Sequence, residues 1–323
     1  MSADSPSEFD IINRYFSGIG AAHGDAVVLS GGDDCALITL GNDQQLALSI
    51  DTLVAGRHFP ADAEAGDIAQ RALAVAISDL AAMGATPIAF TLAITLPSYD
   101  RDWLTAFSNG LSSSANHYRI PLIGGDTTAG PLSLTLQVQG TVPRGAALRR
   151  SGARVGDGIY VSGFLGDAAA ALDMLQGRLS VVDRDSYFHR CFYRPQARLQ
   201  LGQQLLGRAH AAIDISDGLL ADAGHIASAS GVGLCLNAGQ LPLSPALQGL
   251  VENQCITAQQ ALSYALTGGD DYELCFTAPR RDFAPVAGVA VVEIGQVVAG
   301  EGVQCLDSNG SALDFSRRGY QHF

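Results

Sequence analysis

The chain has 323 residues, 47% hydrophobic and 16% charged, with a formal net charge of −13; this is about twice a usual domain length, which predicts two domains of roughly 150 residues each. All 19 basic residues are arginine and no lysine occurs anywhere, which excludes the P-loop lysine, the protein-kinase lysine and any Schiff-base amine. The acidic balance also argues against nonspecific nucleic-acid binding, which needs basic surface to displace counterions. A nucleotide bound here must have its phosphates met by arginines, backbone amides or metal ions.

In chain order, residues 8–16 read as a short amphipathic helix. Val27–Ser30 leads into Gly31-Gly32-Asp33-Asp34, a turn bearing two carboxylates. Cys35–Leu40 and Gln45–Ile50, separated by a stretch beginning Gly41-Asn42-Asp43, read as a hairpin whose second strand ends on Asp51. Gly66–Gly84 has the small-residue apolar pattern of a buried helix, with Asp79 inside it. A strand over Ile88–Leu96, a helix over Asp100–Tyr118, the sequence Leu122-Ile123-Gly124-Gly125-Asp126-Thr127-Thr128 and a strand over Leu132–Gly140 complete a first α+β half. Periodicity lapses over Pro143–Gly158, which predicts a linker and domains of 1–145 and 146–323. The second half opens with a strand over Ile159–Ser162, then Gly163-Phe164-Leu165-Gly166 and a helix over Asp167–Gln176. That glycine step reads either as a plain turn or as a phosphate-holding helix start. Ala211–Gly218 runs from a strand into Asp214-Ile215-Ser216-Asp217 and a helix through Leu219–Ser230, and Tyr272–Phe276 and Val289–Gly295 read as strands.

The six cysteines form no C-x-x-C pair and the N-terminus is polar and acidic, so the expectation is a reducing cytoplasmic setting with no membrane segment. No H-E-x-x-H or G-x-S-x-G pattern supports a hydrolase. The informative set is acidic: Asp33, Asp34, Asp51, Asp79, Asp126, Asp214, Asp217, Asp270 and Asp271 stand at predicted strand ends, in glycine turns or among apolar residues. Each alone reads as a turn former or cap. Together they suit hard, oxygen-ligated magnesium and phosphoryl transfer, which asks mainly for positioning and charge neutralisation. His58, in Ala55-Gly56-Arg57-His58-Phe59-Pro60, reads either as a surface histidine or as a substrate contact.

Gly32-Asp33-Asp34, Asp51-Thr52-Leu53-Val54-Ala55-Gly56-Arg57-His58-Phe59, Ser78-Asp79-Leu80-Ala81-Ala82-Met83-Gly84-Ala85, Gly124-Gly125-Asp126-Thr127-Thr128, Arg150-Ser151-Gly152-Ala153, Asp214-Ile215-Ser216-Asp217-Gly218 and Gly268-Gly269-Asp270-Asp271-Tyr272-Glu273-Leu274 occur in that order across nearly the whole chain. In them the chain resembles the thiamine-monophosphate kinases, within the aminoimidazole ribonucleotide synthetase-like superfamily. The resemblance implies a two-domain α/β (α+β) fold of mixed sheets flanked by helices, a homodimer formed through the N-terminal domains, and ATP with several Mg2+ ions between the halves of each subunit. It implies metal ligands at Asp34, Ser49, Ile50, Asp51, Asp79, Asp126, Asp214 and Asp217, with Asp51, Asp79, Asp126 and Asp214 central to catalysis. Gly125, Asp126, Arg150 and Ser216 would meet ATP, and His58, Asp270 and Tyr320 would meet thiamine monophosphate. Direct in-line transfer is the implied route. The chain departs from the family at Ala76, where asparagine is frequent, at Asp270, where glutamate is frequent, and at Ser30-Gly31. A related synthetase with another acceptor and a non-catalytic magnesium-nucleotide-binding regulator are the rival readings.

Overall fold

The computed structural model describes residues 8–29, 36–181, 183, 186–281, 283–315 and 319. The chain divides into two compact units, one of Met1–Leu80 with Ala85–Gly145, the other of Ala81–Gly84 with Ala146–Phe323.

In the first unit, α1 (Glu8–Ile11) continues into a π-helical turn, Ile12–Phe16. It is followed by β1 (Val27–Leu29), β2 (Leu37–Ile38), β3 (Gln44–Val54), α2 (Ala65–Ala82), β4 (Thr86–Leu96), α3 (Arg101–Tyr118), β5 (Leu122–Ala129) and β6 (Ser133–Pro143). β1 and β2 pair with each other, and the main sheet has the order β3-β6-β4-β5. The α3 start is fixed by Asp100, whose carboxylate accepts the N–H groups of Asp102 and Trp103. α2 is apolar on nearly all sides, with Ile68, Ala69, Ala72, Leu73, Ala76, Ile77 and Leu80 buried. Its small residues let α3 approach: a Cβ at Gly110 would stand 2.4 Å from the Gly66 carbonyl oxygen. Leu80 packs on the sheet beside Gly140 of β6.

The predicted 35–40/45–50 hairpin does not form. β2 is short and pairs with β1, whereas β3 is an eleven-residue strand antiparallel to β6 along its whole length. Asp51 is therefore interior to β3 rather than at its end, and Asp126 lies within β5 rather than in a turn. Local alternation and a turn-like Gly-Asn-Asp promise a hairpin; the partner that satisfies the β3 backbone lies about ninety residues downstream, beyond any local signal. Asp33, Asp34 and Cys35 lie outside the described residues.

The second unit contains β7 (Gly158–Ser162), α4 (Asp167–Leu175), α5 (Tyr187–Tyr193), α6 (Leu199–Leu205), β8 (Ala211–Asp214), α7 (Leu219–Ser230), β9 (Gly233–Asn237), α8 (Pro245–Glu252), α9 (Ala258–Thr267), β10 (Leu274–Ala278), β11 (Val291–Val298) and β12 (Gly302–Leu306). The sheet order is β12-β9-β11-β7-β10-β8. Alternation sorts its side chains to two faces. Ile159, Val161 and Ile213 pack with Leu219, Ala223 and Ile226 of α7; Tyr160, Ala212 and Phe276 pack with Leu201 and Leu205 of α6. Tyr160 and Phe276 stack at 5.3 Å, and truncating such a buried ring to alanine costs about 3–5 kcal/mol. The strand and helix expectations for 159–162, 167–176, 211–214 and 219–230 agree with β7, α4, β8 and α7. No helix among the described residues is long and apolar enough to cross a membrane.

Candidate active site

In the first unit, Ser49 and Asp51 stand two residues apart on β3 and share one face, while Ile50 projects to the other face and is exposed. Asp79 reaches them from α2: the Ser49 hydroxyl donates to its Oδ2. Burial, reinforced by the Asp79 charge, pushes the Asp51 carboxyl up to about 6. Two carboxylates and a hydroxyl thus converge. The register places Gly125 and Asp126 elsewhere on the sheet. Asp51 pairs with Leu136, Leu136 with Leu92 and Leu92 with Gly125, so Asp51 and Gly125 share a cross-strand row. They lie on opposite edge strands, three strand spacings or about 14 Å apart in a flat sheet. Asp126 occupies the next row, with Ala93, Thr135 and Thr52, and is exposed. Gly125 has no room for a side chain, because a Cβ would come within 1.9 Å of the Leu92 carbonyl oxygen. His58 is half-buried, with Nδ1 accepting the Val54 N–H at 3.0 Å; in the neutral ring this puts the proton on Nε2.

In the second unit, β8 delivers a buried Asp214 to a turn formed by Ile215, Ser216, Asp217 and Gly218. The turn is moulded by Asp222, whose Oδ2 accepts the N–H groups of Ser216, Asp217 and Gly218 at 3.0, 3.0 and 3.1 Å. Burial, then the Asp217 charge, raise Asp222 to about 7. The Asp270–Glu273 segment is tied to the same turn: Asp270 N–H donates to the Ser216 carbonyl and Tyr272 N–H to that of Ile215, both at 2.8 Å. Asp270 and Tyr272 both adopt left-handed backbone, with φ of 62° and 50°, and the Tyr272 hydroxyl donates to the Asp270 carboxylate at 3.1 Å. Arg150 is exposed, and its carbonyl accepts the Ser230 hydroxyl, which in turn accepts the Gly152 and Ala153 N–H groups.

The glycine step after β7 is a structural turn: its Gly166 N–H donates to Asp271, at 3.0 and 3.1 Å to the two oxygens. Glu273 receives a fork from Arg198 and the Ser162 hydroxyl at 2.5 Å. An acid in a helix's first turn usually serves the helix end, so the Asp222 role is marked in the sequence only by its position four residues past Gly218. Among the described residues, no group of three or more histidine, cysteine, aspartate or glutamate side chains is placed to hold a metal ion. Asp34 and Tyr320 lie outside the described residues.

Residues 32–142 match the family described as AIR synthase related protein, N-terminal domain. With its mixed sheets flanked by helices, the chain has the AIR synthase-like fold. It is 48% identical to the thiamine-monophosphate kinase of Escherichia coli K12 over 324 aligned positions, covering 98% of each chain. The crystal structure of thiamine-monophosphate kinase from Stenotrophomonas maltophilia K279a superposes with a TM-score of 0.83 at 42% identity, covering 95% of this chain and 98% of that one. AaThiL complexed with AMPPCP and TMP superposes with a TM-score of 0.79 at 28% identity, covering 100% of both. The chain belongs to the thiamine-monophosphate kinase family.

Proposed function

We propose that the chain transfers the terminal phosphoryl group of ATP directly to the phosphate of thiamine monophosphate, giving thiamine diphosphate. The convergence of Ser49, Asp51 and Asp79 within the family's motifs carries the reading. A hard oxygen donor set holding two carboxylates fits magnesium, and a cation there would offset the burial and, after it, the Asp79 charge that raise Asp51. In the first unit the ligands are Ser49, Asp51, Asp79 and the Ile50 carbonyl, with Asp34 and Asp126; in the second they are Asp214 and Asp217. Bound magnesium supplies neutralisation of phosphate charge and alignment of phosphate oxygens.

The chain's own groups bind and orient. Gly125 offers backbone without a side chain to obstruct a nucleotide, Asp126 and Ser216 offer oxygen contacts, and Arg150 supplies the fixed positive charge that lysine supplies in other phosphotransferases. His58, Asp270 and Tyr320 are assigned to thiamine monophosphate. The accepting phosphate is already anionic, so no strong general base is required. The working molecule is a cytoplasmic homodimer. Free thiols at Cys191, Cys235, Cys255, Cys275 and Cys305 suit a reducing compartment, and an exposed apolar row on β3 suits a second copy.

Phosphorus-31 NMR of the purified protein with ATP, magnesium and thiamine monophosphate tests the reaction. A new diphosphate doublet that requires both acceptor and metal is expected. ATP turnover indifferent to the acceptor, or no product at all, would overturn it.

A further inference from the structure

Between Gly269 and Tyr272 the second unit turns through left-handed backbone, with Gly269 at φ 69°, Asp270 at 62° and Tyr272 at 50°. Glycine takes that region freely, whereas a bulky residue such as Tyr272 takes it against steric cost. Such conformations persist only where the surroundings over-determine them. Two alternate side chains supply the constraint. The Asp271 carboxylate accepts the Gly166 N–H through both oxygens. The buried Glu273 carboxylate accepts Arg198 Nε at 2.6 Å, Arg198 Nη2 and the Ser162 hydroxyl. The same Ser162 oxygen accepts the Leu274 N–H at 2.9 Å, so side chain and backbone are fixed at one point. Gly163 belongs to this arrangement, because a Cβ there would stand 2.0 Å from Glu273 Oε1. The glycine step after β7 therefore makes room for one acid and binds the other.

We propose that Arg198, which belongs to none of the chain's seven motifs, is a positioning residue for the reaction: its fork onto Glu273 holds Asp270 in the geometry that meets thiamine monophosphate. The inference rests on the kinase reading and adds how that reading's substrate residue is aimed. The coupling runs through the backbone. The Glu273 carbonyl accepts the Ile215 N–H at 2.8 Å, and the Tyr272 and Asp270 N–H groups return bonds to Ile215 and Ser216. On the other side of this ladder the Ser216–Gly218 turn has a support of its own, the three N–H groups held by Asp222. Loss of the fork therefore falls on Asp270 more than on Ser216, the residue assigned to the nucleotide. Charge alone does not do this work. Arg190 and Arg194 line the same cavity as Arg198, Asp167, Asp271 and Glu273, so cations stay beside the acids when Arg198 is removed. What goes is a rigid pair of N–H donors matched to the two Glu273 oxygens.

The KM for each substrate and the backbone hydrogen exchange of the full chain test this in Arg198→Met and in the double variant Arg198→Met with Glu273→Gln. Removing one partner of a buried ion pair is strongly destabilising, whereas removing both charges is often close to neutral, so the double variant decides. Loss of folded molecules lowers the measured kcat in proportion and leaves KM alone. Both variants should raise KM for thiamine monophosphate about tenfold, the size of one charge-assisted hydrogen bond, and leave KM for ATP within about twofold of wild type. In the double variant the Asp270 and Tyr272 amides should exchange about tenfold faster, with the β9 and β11 amides unchanged. A wild-type KM for thiamine monophosphate in the double variant overturns the proposal. So does an equal rise in both KM values, or exchange that quickens uniformly across the sheet. If the wild type forms no thiamine diphosphate, the kinase reading fails separately. Exchange still decides the anchor: faster Asp270 and Tyr272 amides in the double variant retain it, and unchanged ones overturn it.

Discussion

Asp51 binds its proton more tightly in the folded chain than an ordinary carboxylate does, with a pKa of about 6 against 3.8. Between those values the folded protein holds more proton than the unfolded one. The stability tied to this group is therefore complete below about pH 4 and is lost as pH rises through about 6. At pH 7.5 an ionised Asp51 beside Asp79 costs the metal-free fold up to roughly 3 kcal/mol. Asp51→Asn is accordingly expected to melt several degrees higher than wild type without metal, to gain less from added magnesium, and to make no thiamine diphosphate. Thermal melts of both proteins with and without magnesium check this; a metal-free variant that melts lower than wild type would show that the Asp51 charge is not a strain. Asp51, Asp79 and Asp214 were legible in the sequence because carboxylates in apolar surroundings need a reason. Asp222 was not, because what marks it is the three N–H groups it accepts, and those converge only through tertiary structure.

At the scale of elements, the Ser216–Gly218 turn depends on α7 for its shape. Three successive N–H groups point at one oxygen of Asp222, and removing that acceptor strands donors in a region where Gly218 and Asp222 are buried. Asp222→Ala should cost about 1–3 kcal/mol in denaturant unfolding and raise KM for ATP, since Ser216 and Asp217 lose their orientation. Asp222→Asn keeps a carbonyl acceptor and should lose much less of both. Equal effects from the two substitutions would mean that the charge, rather than the cradle, matters. The helices and central strands were legible because burial imposes a period on the sequence: α2, α3 and α7 and strands β4, β7 and β8 lie close to their predicted spans. β3 was misread because pairing is a property of two segments, and a short turn signal outweighed a distant partner. The edge strand β12, parallel to β9, and the short helices α5 and α6 carry too few apolar repeats to announce themselves.

The whole molecule turns on what covers β3. It pairs with β6 on one side and ends the sheet on the other, and its solvent face carries Leu46, Leu48, Ile50 and Val54 at 43%, 56%, 62% and 37% exposure. A long edge strand without proline or lysine, presenting an apolar row, invites association unless something caps it. A second copy of the same strand supplies matching apolar surface and satisfies the two-fold rule that a patch on one subunit meets the same patch on the other. Leu46→Arg with Leu48→Arg places charge on that row at positions already exposed, where substitution changes the stability of a single chain by only about 0.5 kcal/mol or less. Light scattering after gel filtration should therefore find wild type at twice the chain mass and the double variant at one chain mass, with circular dichroism unchanged. A wild type that runs as a single chain at micromolar concentration, or a double variant that stays paired, would remove β3 from the interface and leave its apolar face without an assigned partner.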